Sequence, residues 1–168
     1  DNPGVMPGSA SEQQAILRPG ARMYAAQASF TAPKLTVTLR KLGREREAMQ
    51  YGQAALAWAR REASQQNLAT ALHNLAGLAY TQGDAATAMA LYQESIPRNP
   101  DLSERSASLN NLGMLHTDLG EWAAAAAAYG EASQLAEREG DRSVQIVLMA
   151  NLAELALAQG KIDEAEAV

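Results

Sequence analysis

The sequence predicts an all-α protein, a solenoid of about four antiparallel helix pairs, and three observations predict it. A glycine recurs at Gly43, Gly83, Gly120 and Gly160, at spacings of 40, 37 and 40 residues; a period between about 20 and 50 residues marks a stack of like units. The residues around each glycine repeat as well. Leu35, Leu75, Leu112 and Leu152 stand eight before it, and Ala48, Ala88, Ala125 and Ala165 five after. The third observation is composition: 47% of residues are hydrophobic but only 5% aromatic, with a single Phe. A chain rich in Ala and Leu and poor in aromatic residues favours close-packed helices over sheets.

Residues 1–33 carry Pro3, Gly4, Pro7, Gly8, Pro19, Gly20 and Pro33. This punctuation predicts an irregular or short-helical segment, with short helices over 11–17 and 21–29. The repeat array is expected over 34–168, in units near 34–66, 69–102, 106–141 and 146–168, the last one truncated. Within a unit, a first helix ends at the glycine, which tolerates the left-handed conformation that closes a helix. A second helix then runs back. Asp84 and Glu121 follow two of the glycines and suit the positive end of that second helix. Leu75, Leu78 and Tyr80, with Ala88 and Tyr92, show the spacing of a buried face. Pro97 is expected to end the second helix of its unit early. Asp101-Leu102-Ser103-Glu104 reads as a capping box for the next helix, and Gly140-Asp141 marks the following boundary.

The first unit departs from the others. It has Lys34 where they have Asn74, Asn111 and Asn151, and Gly52 where the central units have Tyr92 and Tyr129. Pro33 falls where a first helix should already be running, so that helix is expected to be short or the unit to be a degenerate cap. No apolar C-terminal face is capped by an obvious polar unit, although arrays need such caps. With the non-Met start, this suggests a fragment, or a homodimer contact through uncapped ends.

The formal net charge is -5, which gives no general attraction to nucleic-acid phosphates. Between Lys34 and Arg61, however, seven cations face two carboxylates, either a solvated surface or a docking patch for an acidic partner. There are no cysteines, which excludes disulfides, thiol catalysis and Cys-ligated zinc. No signal peptide and no run long enough to span a membrane is present, and the expected location is cytoplasmic. No phosphate loop, metal motif or nucleophile with a base in register appears, so no catalytic residue, metal or cofactor is expected. His73 and His116 are one repeat out of register and do not read as a metal pair; His116 is expected between paired helices. Trp58 and Trp122 fall on second helices, where inter-repeat packing is the simpler role. Glu154, Glu164 and Glu166 read as solvated surface.

Leu112-Gly113, Gly120, Ala125, Tyr129 and Ala132 resemble the tetratricopeptide repeat signature. So do Leu75-Ala76, Gly83, Ala88, Tyr92 and Asn99-Pro100. The triplets Asn74-Leu75-Ala76, Asn111-Leu112-Gly113 and Asn151-Leu152-Ala153, with a period near 40, are similar to the longer subclass found in kinesin light chains and bacterial regulators. The resemblance covers about residues 34–168. It implies a right-handed superhelix whose first helices line a concave groove, and a role in holding a protein or peptide. The groove-facing candidates are then Lys34, Arg40 and Lys41; His73, Asn74, Gly77, Tyr80 and Thr81; Asn110, Asn111, Met114 and Asp118; and Asn151 and Glu154. Asn both donates to and accepts from a peptide backbone, so the Asn ladder suits an extended ligand; bridging of neighbouring helices is the other role open to it. Three functions compete: a peptide-binding scaffold, a sensor or oligomerisation segment of a larger bacterial regulator, and an enzyme acting by inserting a side chain into a partner's site, which only the versatility of the fold supports.

Overall fold

The computed structural model describes residues 34–62 and 64–160. The expectations placed on 1–33, including Pro33, and on Glu164, Ala165 and Glu166 lie outside the described residues. Seven α-helices follow one another among those described: α1 over 34–41, α2 Glu45–Glu62, α3 Gln65–Thr81, α4 Ala85–Ser95, α5 Leu102–Asp118, α6 Trp122–Glu139 and α7 Arg142–Ala158. A 3₁₀ turn, Ile96–Arg98, continues α4. Pro97 lies within it, so the α-helix stops at Ser95 because a proline offers no N–H and crowds the preceding turn.

Each helix pair closes through the same device. Gly43, Gly83, Gly120 and Gly160 all have φ between 70° and 78°. Past the first three, the next residue donates back across the turn: Arg44 N to Leu39 O at 2.9 Å, Asp84 N to Ala79 O at 2.9 Å, Glu121 N to His116 O at 2.8 Å. A side chain is strained at such φ, which is why glycine marks the period. Gly140, at φ 70°, closes α6 in the same way between units.

Helix starts are capped by side chains at most positions. Ser64 accepts from Asn67 N, Asp84 from Thr87 N, and Asp141 from Ser143 N and Val144 N. Asp101 accepts from Glu104 N, as half of the capping box requires. The other half is replaced. Asp101 N donates to Asn99 Oδ1 at 3.0 Å, while the Glu104 carboxylate turns away to Asn99 Nδ2 and Thr70 Oγ1. Glu121 also does not cap its helix; its carboxylate takes His116 Nδ1 at 2.5 Å instead.

The core is thin and built for close approach. Ala76, Ala88, Ala125 and Ala132 are fully buried among Leu109, Leu115, Leu148, Tyr92 and Tyr129. Leu39, Ala48, Leu75 and Leu78 continue it into the first pair. Small residues let tyrosine rings pass between helices: a Cβ on Gly113 would stand 2.6 Å from Tyr129 Cε1. At Gly52, which replaces tyrosine in the first pair, Leu75 occupies the space, 2.7 Å from where a Cβ would be. Leu35, one of the four repeating leucines, is 36% exposed, and Leu39 is the buried leucine of that helix.

Two buried serines tie inner to outer helices. Ser95 Oγ on α4 donates to Ala69 O on α3 at 2.8 Å, and Ser106 Oγ on α5 donates to Ala132 O on α6 at 2.9 Å. The donor comes from the outer helix in one pair and from the inner helix in the next.

Every described helix from α2 on packs against its successor; the inner helices α3, α5 and α7 also touch one another, whereas α2, α4 and α6 pack little among themselves. The stack therefore closes toward its inner helices. The result is an all-α helical-repeat solenoid with α1, α3, α5 and α7 on the inner face.

Candidate functional site

The inner face is fixed by side chains that reach from one inner helix to the next. Between α3 and α5, Thr70 Oγ1 donates to Glu104 Oε2 at 3.1 Å, His73 Nδ1 meets Ser108 Oγ at 2.7 Å, and Tyr80 Oη donates to Asp118 Oδ2 at 2.5 Å. Between α5 and α7, Asn151 Nδ2 donates to Asn110 Oδ1 at 2.6 Å. Helical spacing puts Thr70, His73 and Tyr80 of α3, three and then seven positions apart, on one stripe, and Glu104 and Ser108 of α5, four apart, on another, while Asn110, two past Ser108, falls on a different side of α5 and turns to α7.

Tyrosines from the outer helices complete the floor. Tyr92 of α4 is 1% exposed, and its ring meets that of His73 edge-on, with centroids 5.6 Å apart. Its hydroxyl is hydrogen-bonded by the Asn111 side chain. Tyr129 of α6 reaches Thr117 Oγ1 at 3.3 Å. Burial is the main cause that raises the pKa of both phenols, so both are neutral hydrogen-bonding groups near neutral pH.

Electrostatics along the face are uneven. Burial pushes His73 below the ordinary histidine value, with Glu104 opposing and Arg40 assisting. The ring is therefore a neutral hydrogen-bonding group at neutral pH. Tyr80 is pushed up to about 12, chiefly by its hydrogen bond to Asp118. Lys41 is exposed at the end of α1, and Asp118 and Glu154 are exposed on α5 and α7. The α1 end of the face is cationic and the α5–α7 side is anionic.

The expected site residues are thus brought to one face, but they are not equally available. Asn110, Asn111, Asn151, His73 and Tyr80 are half-buried and joined to neighbouring helices. Asn74 is half-buried and also has a partner. Lys41, Met114 and Glu154 are open to solvent, and Met114 Sδ is touched only lightly, by Asn110 Nδ2 at 3.7 Å. Sequence reasoning missed the contributions of Ser108, Tyr92 and Thr117 to the floor. The repeating tyrosine pointed at two of them, since a phenol that crosses a helix pair must end on the opposite face.

Elsewhere, His116 lies between paired helices with its Nδ1 on Glu121. Trp58 is half-buried, its Nε1 enclosed without a hydrogen-bond partner among the described residues. Trp122 is 38% exposed at the start of α6, so it packs less than expected. Among the described residues no cluster of three His, Asp or Glu side chains is placed to hold a metal ion, and no helix is long and apolar enough to cross a membrane.

A family model described as tetratricopeptide repeat matches residues 34–101 and 104–168. Among solved structures, the crystal structure of BtubC (BKLC) from P. vanneervenii superposes with a TM-score of 0.72 at 20% sequence identity, over 94% of this chain and 73% of that one. At that identity the likeness shows the fold. No curated protein matches the sequence.

Proposed function

We propose, from the premise that this chain belongs to the tetratricopeptide repeat family, that it is a protein-binding scaffold which holds an extended peptide along its inner face. Repeats of this family generally mediate protein–protein interaction. The observation that carries the finer reading is the set of side-chain bridges across α3, α5 and α7. They fix a polar face in advance and leave Lys41, Met114 and Glu154 open beside it. A face ordered before binding loses less entropy when a ligand arrives. The reading assigns no catalysis and no cofactor, and a cysteine-free chain of this kind suits the cytoplasm.

The test is selection of a random linear peptide library on the chain, followed by affinity measurement with Met114→Glu and with Gln93→Glu, an exposed residue of α4 on the outer layer. Peptides should be recovered whose affinity falls with Met114→Glu and holds with Gln93→Glu. Recovery of none, or equal binding to both variants, would rule out the inner face.

A second reading, an oligomerisation segment of a larger regulator, draws on one observation. Ile146, Val147, Met149 and Leu157 of α7 are 66%, 51%, 45% and 56% exposed, a large apolar surface for one helix. Sedimentation of the chain beside Ile146→Lys/Met149→Lys separates the readings. Only self-association that the double variant abolishes favours the second.

A further inference from the structure

α7 is the last described helix, and its open side is unlike the matching side of the inner helices before it. Fourteen residues before the turn glycine, α3 has Ala69 and α5 has Ser106, both buried. Each meets its outer helix at that point, through Ser95 Oγ to Ala69 O at 2.8 Å and Ser106 Oγ to Ala132 O at 2.9 Å. α7 has Ile146 at that position, 66% exposed. Isoleucine has no hydroxyl for such a bond and is too large for the same approach. This side of α7 suits a different neighbour.

Four exposed residues form one row along it, a turn apart: Arg142, Ile146, Ala150 and Glu154. Rows of every fourth residue are the ridges by which helices most often interlock. The row is complementary to its own reverse. Arg142 and Glu154 stand six residues either side of Leu148, and Ile146 and Ala150 stand two either side. A second α7, antiparallel and related by a twofold axis at the level of Leu148, brings Arg142 of each copy opposite Glu154 of the other. Ile146 of each copy then lies over Ala150 of the other, a large residue over a small one. Val147 and Met149, 51% and 45% exposed, flank the row beside the axis. Among the described residues neither Arg142 nor Glu154 forms an ion pair within its own chain. A head-to-tail contact joins two different surfaces and draws nothing from this symmetry.

We propose that this row is an isologous interface through which two copies of the chain pair, α7 against α7. This rests on the oligomerisation reading above and adds the partner, the symmetry and the register. It is independent of the peptide-holding reading.

The experiment measures dissociation constants of the whole chain by sedimentation equilibrium. The samples are wild type, Arg142→Glu, Glu154→Arg, the double exchange Arg142→Glu/Glu154→Arg, and an equimolar mixture of the two single variants. Wild type should dimerise, and more weakly at high salt. Each single exchange turns two attractions into two repulsions. It should weaken the dimer about tenfold or more, the scale of two exposed pairs reversed together. Both exchanges put charge where the helix dipole favours it, acid in the first turn of α7 and base toward its end, so neither should unfold the helix. The double exchange and the mixture should both return to the wild-type constant, because each restores both pairs. Two outcomes overturn the twofold pairing and leave the oligomerisation reading standing: single exchanges that weaken the dimer with no recovery in the mixture, and single exchanges that change nothing while Ile146→Lys/Met149→Lys abolishes association. A wild-type chain that stays monomeric, or that associates undisturbed by Ile146→Lys/Met149→Lys, overturns both.

Discussion

Two glycines inside helices make opposite predictions, and the geometry sets the sign of each. Gly113 in α5 and Gly130 in α6 would both gain about 1 kcal/mol of helix propensity on replacement by alanine. At Gly130 nothing lies within 4 Å of the added carbon, so the gain should appear in full. At Gly113 the new Cβ would meet Tyr129 Cε1, Cδ1 and Cζ at 2.6, 2.7 and 3.0 Å, against a comfortable carbon–carbon separation of about 3.5–4.0 Å. The ring must retreat by about 1 Å, yet it is 2% exposed and its hydroxyl is held by Thr117. Overpacking of this kind costs about 1–3 kcal/mol. With three contacts short at once the upper part of that range applies, and the net change should be about 2 kcal/mol of destabilisation. In a chain of this size about 1 kcal/mol corresponds to a Tm shift of about 2–4 °C. Gly113→Ala should then melt about 4–8 °C lower than wild type, and Gly130→Ala about 2–4 °C higher. Urea titration with unchanged m would confirm that stability, not cooperativity, has moved. Tyr129→Leu removes the ring's far edge, and in that background Gly113→Ala should turn neutral or stabilising. Shifts of the same sign for the two alanines, or no rescue by Tyr129→Leu, would refute the reasoning.

Three further outcomes follow from other contacts. Ser95→Ala and Ser106→Ala each delete a buried hydroxyl bond between inner and outer helix; each should cost about 1 kcal/mol in urea titration, additively, since the two sites share no partner. His73 has a folded pKa below the ordinary histidine value of 6.5, chiefly because it is buried. Its contribution to stability is therefore complete above that value and is lost as pH falls toward the folded pKa; His73→Gln should flatten the acid side of a Tm-against-pH curve. Tyr80, raised to about 12 by Asp118, keeps its contribution below the ordinary tyrosine value of 10.0 and loses it as pH climbs through about 12; Asp118→Asn should lower the phenolate titration of Tyr80, read by ultraviolet difference absorbance.

The fold was legible because its signals are local and periodic. Gly83 and Gly120 announce turns that a single residue's backbone must make, and Ala88 and Ala125 announce helix crossings too close for a larger side chain. The inner face was legible as a stripe, from Asn74, Asn111 and Asn151 at one position of three units. What each side chain does there was not. Asn111 bonds a phenol from an outer helix and Asn151 bonds Asn110 of the preceding unit, and such pairings depend on the distance between units, which no local pattern states. Glu104 shows the same limit. The capping-box spacing was satisfied from Asp101, but Glu104 found a competing donor in Thr70, which stands 34 residues earlier in sequence and beside it in space. Leu35 matched the repeat by position and is nonetheless exposed, because Leu39 one turn later takes the buried site on α1.

The division of labour on the inner face has a consequence for how mutations there should be interpreted. A residue such as Asn110 or Tyr80 is a strut first: its removal loosens the spacing of α5 against α7 or α3 before it removes any contact to a ligand. Loss of binding on changing a strut is therefore compatible with either role, since a peptide lying across several helices is sensitive to their spacing. Met114, Lys41 and Glu154 are exposed and are not struts. Only changes at these positions separate contact from support, provided helicity and melting temperature stay level. The Asn ladder that draws attention in the sequence is thus the frame of the inner face, and under the proposed peptide-holding role the side chains that would choose the ligand lie between its rungs.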